Sequence, residues 1–108
     1  MVKINVNTKD GVKQFTTEKI KGNLKAVIIT PIGSRISKTR VLIESELGYT
    51  ILDYKDLDVA NYVPICTRMI NKDSHYVNEW TTFYLDEKLK ITVYGGKNQE
   101  VQIILRMG

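Results

Sequence analysis

The chain has almost none of the residues from which small proteins build staples or reactive centres. Its 108 residues include one cysteine, Cys66, and one histidine, His75. A single cysteine excludes an intramolecular disulfide and a thiolate metal cluster within one chain, and it fits a cytoplasmic place of synthesis. A zinc centre needs three or four ligands, which one Cys and one His cannot supply without distant carboxylates. The longest uninterrupted apolar run is Ala26 to Ile29, far short of a membrane-spanning helix, so no membrane partner is expected. The early residues Val2-Lys3-Ile4-Asn5-Val6 alternate and do not resemble a signal peptide. No segment carries an i, i+3, i+4, i+7 apolar stripe, so helix content should be small. Gly33 stands alone before a strand pattern, where a phosphate-binding loop would need several glycines and a helix start.

Alternation fills the space these absences leave. Leu89, Ile91 and Val93 point one way while Lys90, Thr92 and Tyr94 point the other; after Gly95-Gly96-Lys97-Asn98, Val101, Ile103, Leu105 and Met107 resume the pattern. Two such runs joined by a short glycine-containing connection predict a terminal β-hairpin, whose apolar rows need a second sheet to cover them. Upstream, Val2 to Val6 is a short strand and Val12 to Thr17 a weaker one. Lys21-Gly22-Asn23 reads as a turn. Leu24 to Thr30 reads as a central strand covered on both faces and stopped by Pro31. Thr39 to Ser45 and Tyr49 to Tyr54 flank the turn Glu46-Leu47-Gly48, with Val41, Ile43 and Ile51 on one side. Lys55 to Asp58 is turn-prone, with room for one helical turn. Tyr62 to Ile70 is a strand whose Pro64 suits an edge. Asn71 to Glu79 is the one long polar connection, and Trp80 to Leu85 is a strand that Asp86-Glu87-Lys88 turns into the terminal hairpin.

About seven to nine short strands at roughly ten-residue spacing predict an all-β fold, an antiparallel β-sandwich of jelly-roll or Ig-like type, with a barrel as the alternative. The length suits a single domain over residues 1–108 with one modest core.

Candidate reactive groups do not assemble into a centre. Asp73, Ser74 and His75 are consecutive, and consecutive loop residues rarely converge on one atom as a catalytic triad must. Cys66 lies in an apolar strand, where a free cysteine acts as a small hydrophobe; a reactive thiolate would need exposure and a neighbour such as Arg68. Glu44, Glu46, Asp53, Asp56 and Asp58 gather around one turn. Paired carboxylates can hydrolyse glycosides when held across a cleft, but Asp53 to Asp58 lacks the spacing and glycine of a calcium loop. A solvated acidic loop is the plainer reading. No catalytic, cofactor-binding or metal-ligating residue is therefore assigned, and no enzyme activity or cofactor is expected. Tyr49, Tyr54, Tyr62, Tyr76, Trp80, Phe83, Tyr84 and Tyr94 could stack on bases or sugars, or pack with their hydroxyls at a surface.

The net charge of +4 hides an asymmetry. Residues 1–40 hold nine Lys/Arg against Asp10 and Glu18, a local +7, while residues 41–100 hold six basic and ten acidic groups, a local −4; Arg106 adds the last +1. Such a distribution can steer acidic partners or head-to-tail self-assembly; lysines also protect strand edges from aggregation.

At Leu24 to Ile29, Ile43 to Tyr49, Phe83-Tyr84-Leu85-Asp86-Glu87-Lys88-Leu89 and Glu100-Val101-Gln102-Ile103-Ile104-Leu105-Arg106, the chain resembles small virion proteins of tailed bacteriophages. The likeness runs over residues 20–108 and contains no catalytic motif. It implies a non-enzymatic structural subunit of the head, neck or tail, made in the host cytoplasm and located in the virion. Its partners would be other virion proteins and further copies of itself. A nucleic-acid-binding barrel and a carbohydrate-binding module of a phage fibre are the alternatives.

Overall fold

The computed structural model describes residues 2–9, 11–32, 39–57, 61–65, 67–70, 76–81, 83–96 and 99–108. All regular structure among them is β: β1 (Val2–Asn7), β2 (Val12–Thr16), β3 (Ile20–Ile32), β4 (Thr39–Ser45), β5 (Thr50–Leu57), β6 (Asn61–Pro64), β7 (Thr67–Ile70), β8 (Tyr76–Thr81), β9 (Phe83–Glu87), β10 (Leu89–Tyr94) and β11 (Glu100–Met107). One sheet has the order β1-β11-β3-β6, with β9 also on β3; the second has the order β2-β10-β4-β5; β7 and β8 form a separate pair. Every pairing is antiparallel. The two large sheets pack face to face as a β-sandwich, and no closed barrel forms among the described residues.

The terminal segment is not a hairpin. β10 pairs with β2 and β4, and β11 pairs with β1 and β3, so the chain crosses from one sheet to the other between Tyr94 and Glu100. Alternation is the same in a hairpin and in such an arch, because each strand buries one face in both. The arch, however, sets its apolar rows against each other: Leu89, Ile91 and Val93 from one sheet meet Val101, Ile103 and Leu105 from the other, all at 0% exposure. Each such side chain contributes roughly 1.5–3 kcal/mol on burial. These six residues form the centre of the core.

A second arch lies beside the first. β1 runs along β11 and β2 along β10, so the link from Asn7 to Val12 crosses at the same end. Thr8, fully buried, ties the two together. Its amide donates to the Gln99 carbonyl at 2.8 Å and its hydroxyl to the Gly96 carbonyl at 2.6 Å. The Gly95 amide donates to the Gly11 carbonyl at 2.8 Å. Gly11 has a φ of 101°, a conformation open to glycine at little cost, and a Cβ there would lie 3.4 Å from the Gly95 oxygen.

Four other expectations are corrected. Lys21, Gly22 and Asn23 lie inside β3, paired with Asp86, Leu85 and Tyr84, and Pro31 sits within the same strand opposite Val101. The strand slips register at Lys25, between the Arg106–Ala26 and Met107–Leu24 partners. That bulge moves the inward face from Val27 and Ile29 to Leu24 and Ile20, so one long strand can bend and keep its core contacts. Lys55 to Leu57 continue β5 and form no helical turn. Asp86 and Glu87 belong to β9, and Lys88 alone makes the corner into β10. There the Thr17 amide donates to the Leu89 carbonyl at 2.8 Å, and the Leu89 amide donates to the Thr17 hydroxyl at 2.9 Å.

Candidate contact surfaces

The most unusual surface begins where an edge strand is interrupted. β6 runs along β3 from the Asn61–Ile29 partners to Pro64–Ala26, and β9 continues from Phe83–Leu24 to Glu87–Ile20. Both are antiparallel to β3 and occupy the same edge. The Ile65 amide makes the last bond of this edge, to the Lys25 carbonyl at 2.9 Å. Residues 67–81 then leave and return as the β7–β8 hairpin, which among the described residues pairs only with itself. In register, Thr67 faces Thr81, Arg68 faces Trp80 and Ile70 faces Tyr76. The connection expected over Asn71 to Glu79 is therefore shorter, since Tyr76 already begins β8. β6 and β9 lie in the same sheet, so the chain returns to the edge it left.

The outer faces of the two sheets differ. On the first, register aligns Lys3, Ile104, Ile28 and Tyr62 in one row across four strands. Tyr62 is 51% exposed and Ile32 39%. Arg106 donates to the Tyr62 hydroxyl at 2.9 Å. On the second, polar groups engage one another. Arg40 donates to both Asp53 oxygens, at 2.7 and 2.8 Å, and its guanidinium stands 5.1 Å from the Tyr94 ring centroid. The bidentate bond from Arg40 holds the Asp53 carboxyl below its ordinary range and raises the guanidinium further above its own. Gln14 donates to the Thr92 hydroxyl at 3.0 Å.

The three acidic residues of that group whose side chains are described have different neighbours. Glu44 stands opposite Lys90, Glu46 accepts from the Lys88 amide at 3.2 Å, and Asp53 is held by Arg40. Asp58 and the Asp56 side chain lie outside the described residues, as do Cys66, His75 and the side chains of Tyr76, Trp80 and Phe83. Among the described residues no three His, Cys, Asp or Glu gather as a metal site would require, and no helix is long and apolar enough to cross a membrane. The basic and aromatic parts of the chain do meet, at Arg40 and Tyr94, but Asp53 already occupies that guanidinium. Tyr62 and Tyr84 share the β6–β9 edge opposite Ile28 and Asn23. Five residues of strand, about 17 Å, separate them, too far for one sugar ring.

Sequence reasoning missed Glu87, placed in a turn but in fact buried at 6% exposure, accepting from the Tyr49 hydroxyl at 3.2 Å. The signal was the unbroken alternation Leu85, Glu87, Leu89, Ile91. No protein-family model matches the chain, and no curated protein matches it.

Proposed function

We propose that the chain is a non-enzymatic assembly subunit of a tailed-phage virion, acting through protein–protein contacts. The observation that carries the reading is the β7–β8 arm. A sandwich that needed only to fold would run β6 into β9 without a break, since both lie on one edge of β3. The arm instead adds a two-stranded ribbon with no third strand against it among the described residues, and such ribbons are marginal alone in water. An element of that kind gains its stability from what it contacts. The arm contains Trp80, Tyr76 and Arg68, residue types that most often anchor protein interfaces. The outward row of Ile104, Ile28 and Tyr62, the two isoleucines half-buried and Tyr62 exposed, offers a further contact area on the same sheet. The resemblance to small virion proteins of tailed phages gives the assembly its class.

The test is composition. Phage particles released from a host carrying this gene, purified on a density gradient, should contain the chain at a fixed number of copies per particle by quantitative mass spectrometry. Its absence from intact particles, with the protein present in the producing cells, would overturn the reading.

A further inference from the structure

On the outer face of the first sheet, cations without an ion pair stand beside exposed aromatic rings. Lys3 shares the row of Ile104, Ile28 and Tyr62. Arg106, two residues beyond Ile104, points the same way and donates to the Tyr62 hydroxyl at 2.9 Å. That partner is neutral, so the guanidinium charge stays uncompensated. Lys21 alternates with the inward Ile20 and lies outward, two residues from Asn23 and its partner Tyr84. At the bulge, the Lys25 side chain lies over Gly108, where a Cβ would collide with it. Met107 packs against the core and Gly108 follows it on the outer side, which puts Lys25 on the outer face too.

All four cations are exposed, and none makes an ion pair among the described residues. Two carboxylates share the face. Asp86 stands opposite Lys21 but is held by Lys19 at 3.2 Å, a fifth cation that neutralises it. Glu100 lies six positions from Arg106 along β11, about 20 Å away. The part of the face between Lys3 and Lys21 is therefore strongly positive. The second sheet differs: its outward cations Arg40 and Lys90 stand against Asp53 and Glu44. Within the positive region Tyr62 and Tyr84 are 51% and 57% exposed, about 17 Å apart along one edge. One sugar ring cannot reach both, whereas a run of nucleotides can.

We infer that this face binds single-stranded nucleic acid, with Lys3, Lys21, Lys25 and Arg106 against phosphates and Tyr62 and Tyr84 against bases. Phosphates are drawn to cations that lack a carboxylate, and unpaired bases stack on exposed rings; a single strand presents both along one line. An acidic protein segment would use the cations and leave the rings idle. A duplex keeps its bases stacked on one another and would do the same. The inference stands apart from the assembly reading, since it needs neither the arm nor a protein partner.

Fluorescence anisotropy with labelled oligothymidylate and oligouridylate of about 20 nucleotides tests it, the tighter of the two naming DNA or RNA. The wild type should bind at low salt, and the logarithm of its affinity should fall against that of salt with a slope near about −3, as four phosphate contacts on a single strand require. Lys3→Gln, Lys21→Gln and Lys25→Gln together should weaken binding roughly tenfold or more and flatten that slope by about 2. Tyr84→Ala should weaken it about fivefold or more with the slope unchanged. Lys13→Gln with Lys90→Gln, away from the face, should stay within about twofold of wild type. Each protein is confirmed as folded by its melting curve. A wild type that does not bind at low salt, a control pair that loses as much as the triple variant, a Tyr84→Ala protein that binds like wild type, or a duplex bound as tightly as the single strand would each overturn the inference. Presence of the chain in particles is measured separately, so it can stand while nucleic-acid binding fails.

Discussion

The sandwich and the arm are made of the same kind of strand and differ in what covers them. In the sandwich, strands from opposite sheets supply each other's cover: the rows from Leu89 to Val93 and from Val101 to Leu105 are entirely buried on their inward faces. The arm has backbone pairing between β7 and β8 and no strand beyond it among the described residues. Hydrogen bonds alone contribute little net stability, because water offers the same bonds to the unfolded chain. On the proposed reading, the sandwich supplies fold stability and the arm supplies contact.

Substitutions can break or sharpen that contrast. The largest effect is expected at the centre of the arch. Ile103→Asp buries an unpaired charge at a fully enclosed site and should abolish cooperative folding, a loss of more than about 4 kcal/mol. Gln102→Asp, one residue away on the outer face, should stay within about 0.5 kcal/mol of wild type in urea denaturation. Equal damage from both would mean that the outer face is covered too. Next is the tie between arches: Thr8→Val removes the hydroxyl bond to Gly96 and should cost about 1–3 kcal/mol by the same measurement. An unchanged midpoint would show that the arches hold without it.

The smallest effect belongs to the exposed pair of Arg40 and Asp53. The Asp53 carboxyl titrates below its ordinary value when folded, so its contribution is present above the unfolded value and is lost as pH falls through the lowered one. Asp53→Asn should thus be slightly less stable than wild type at neutral pH, and the gap should close in acid. A gap that persisted below the ordinary carboxylate range would mean that the substituted amide disturbs packing and that the ion pair is not the cause.

How far the fold was legible follows from the same physics. Alternation located nearly every strand and placed Val41, Ile43, Ile91 and Ile103 in the core, because a strand half-buried in a sandwich repeats every two residues. It could not separate arch from hairpin at Gly95 to Gln99, since both put a short polar link between two alternating runs. The Thr8 contacts that decide the matter come from about ninety residues away in sequence. Gly22 misled for a related reason: glycine signals a turn, but here it lies within a bent strand next to a bulge. The arm was less legible than the core. The polar stretch after Ile70 signalled an excursion, whereas its return to the same edge of β3 depends on pairings that no local pattern encodes.

The division between sandwich and arm is tested most directly by deleting the arm alone. The Pro64–Ala26 and Phe83–Leu24 partners are two positions apart on β3, about 7 Å, so a few Gly/Ser residues in place of 67–81 can rejoin the edge with Ile65 retained. The melting temperature of this shortened chain and its incorporation into particles, measured together, give the answer. The account predicts melting within a few degrees of wild type and loss of incorporation. A shortened chain that enters particles at the wild-type copy number, or one that no longer folds, would contradict it.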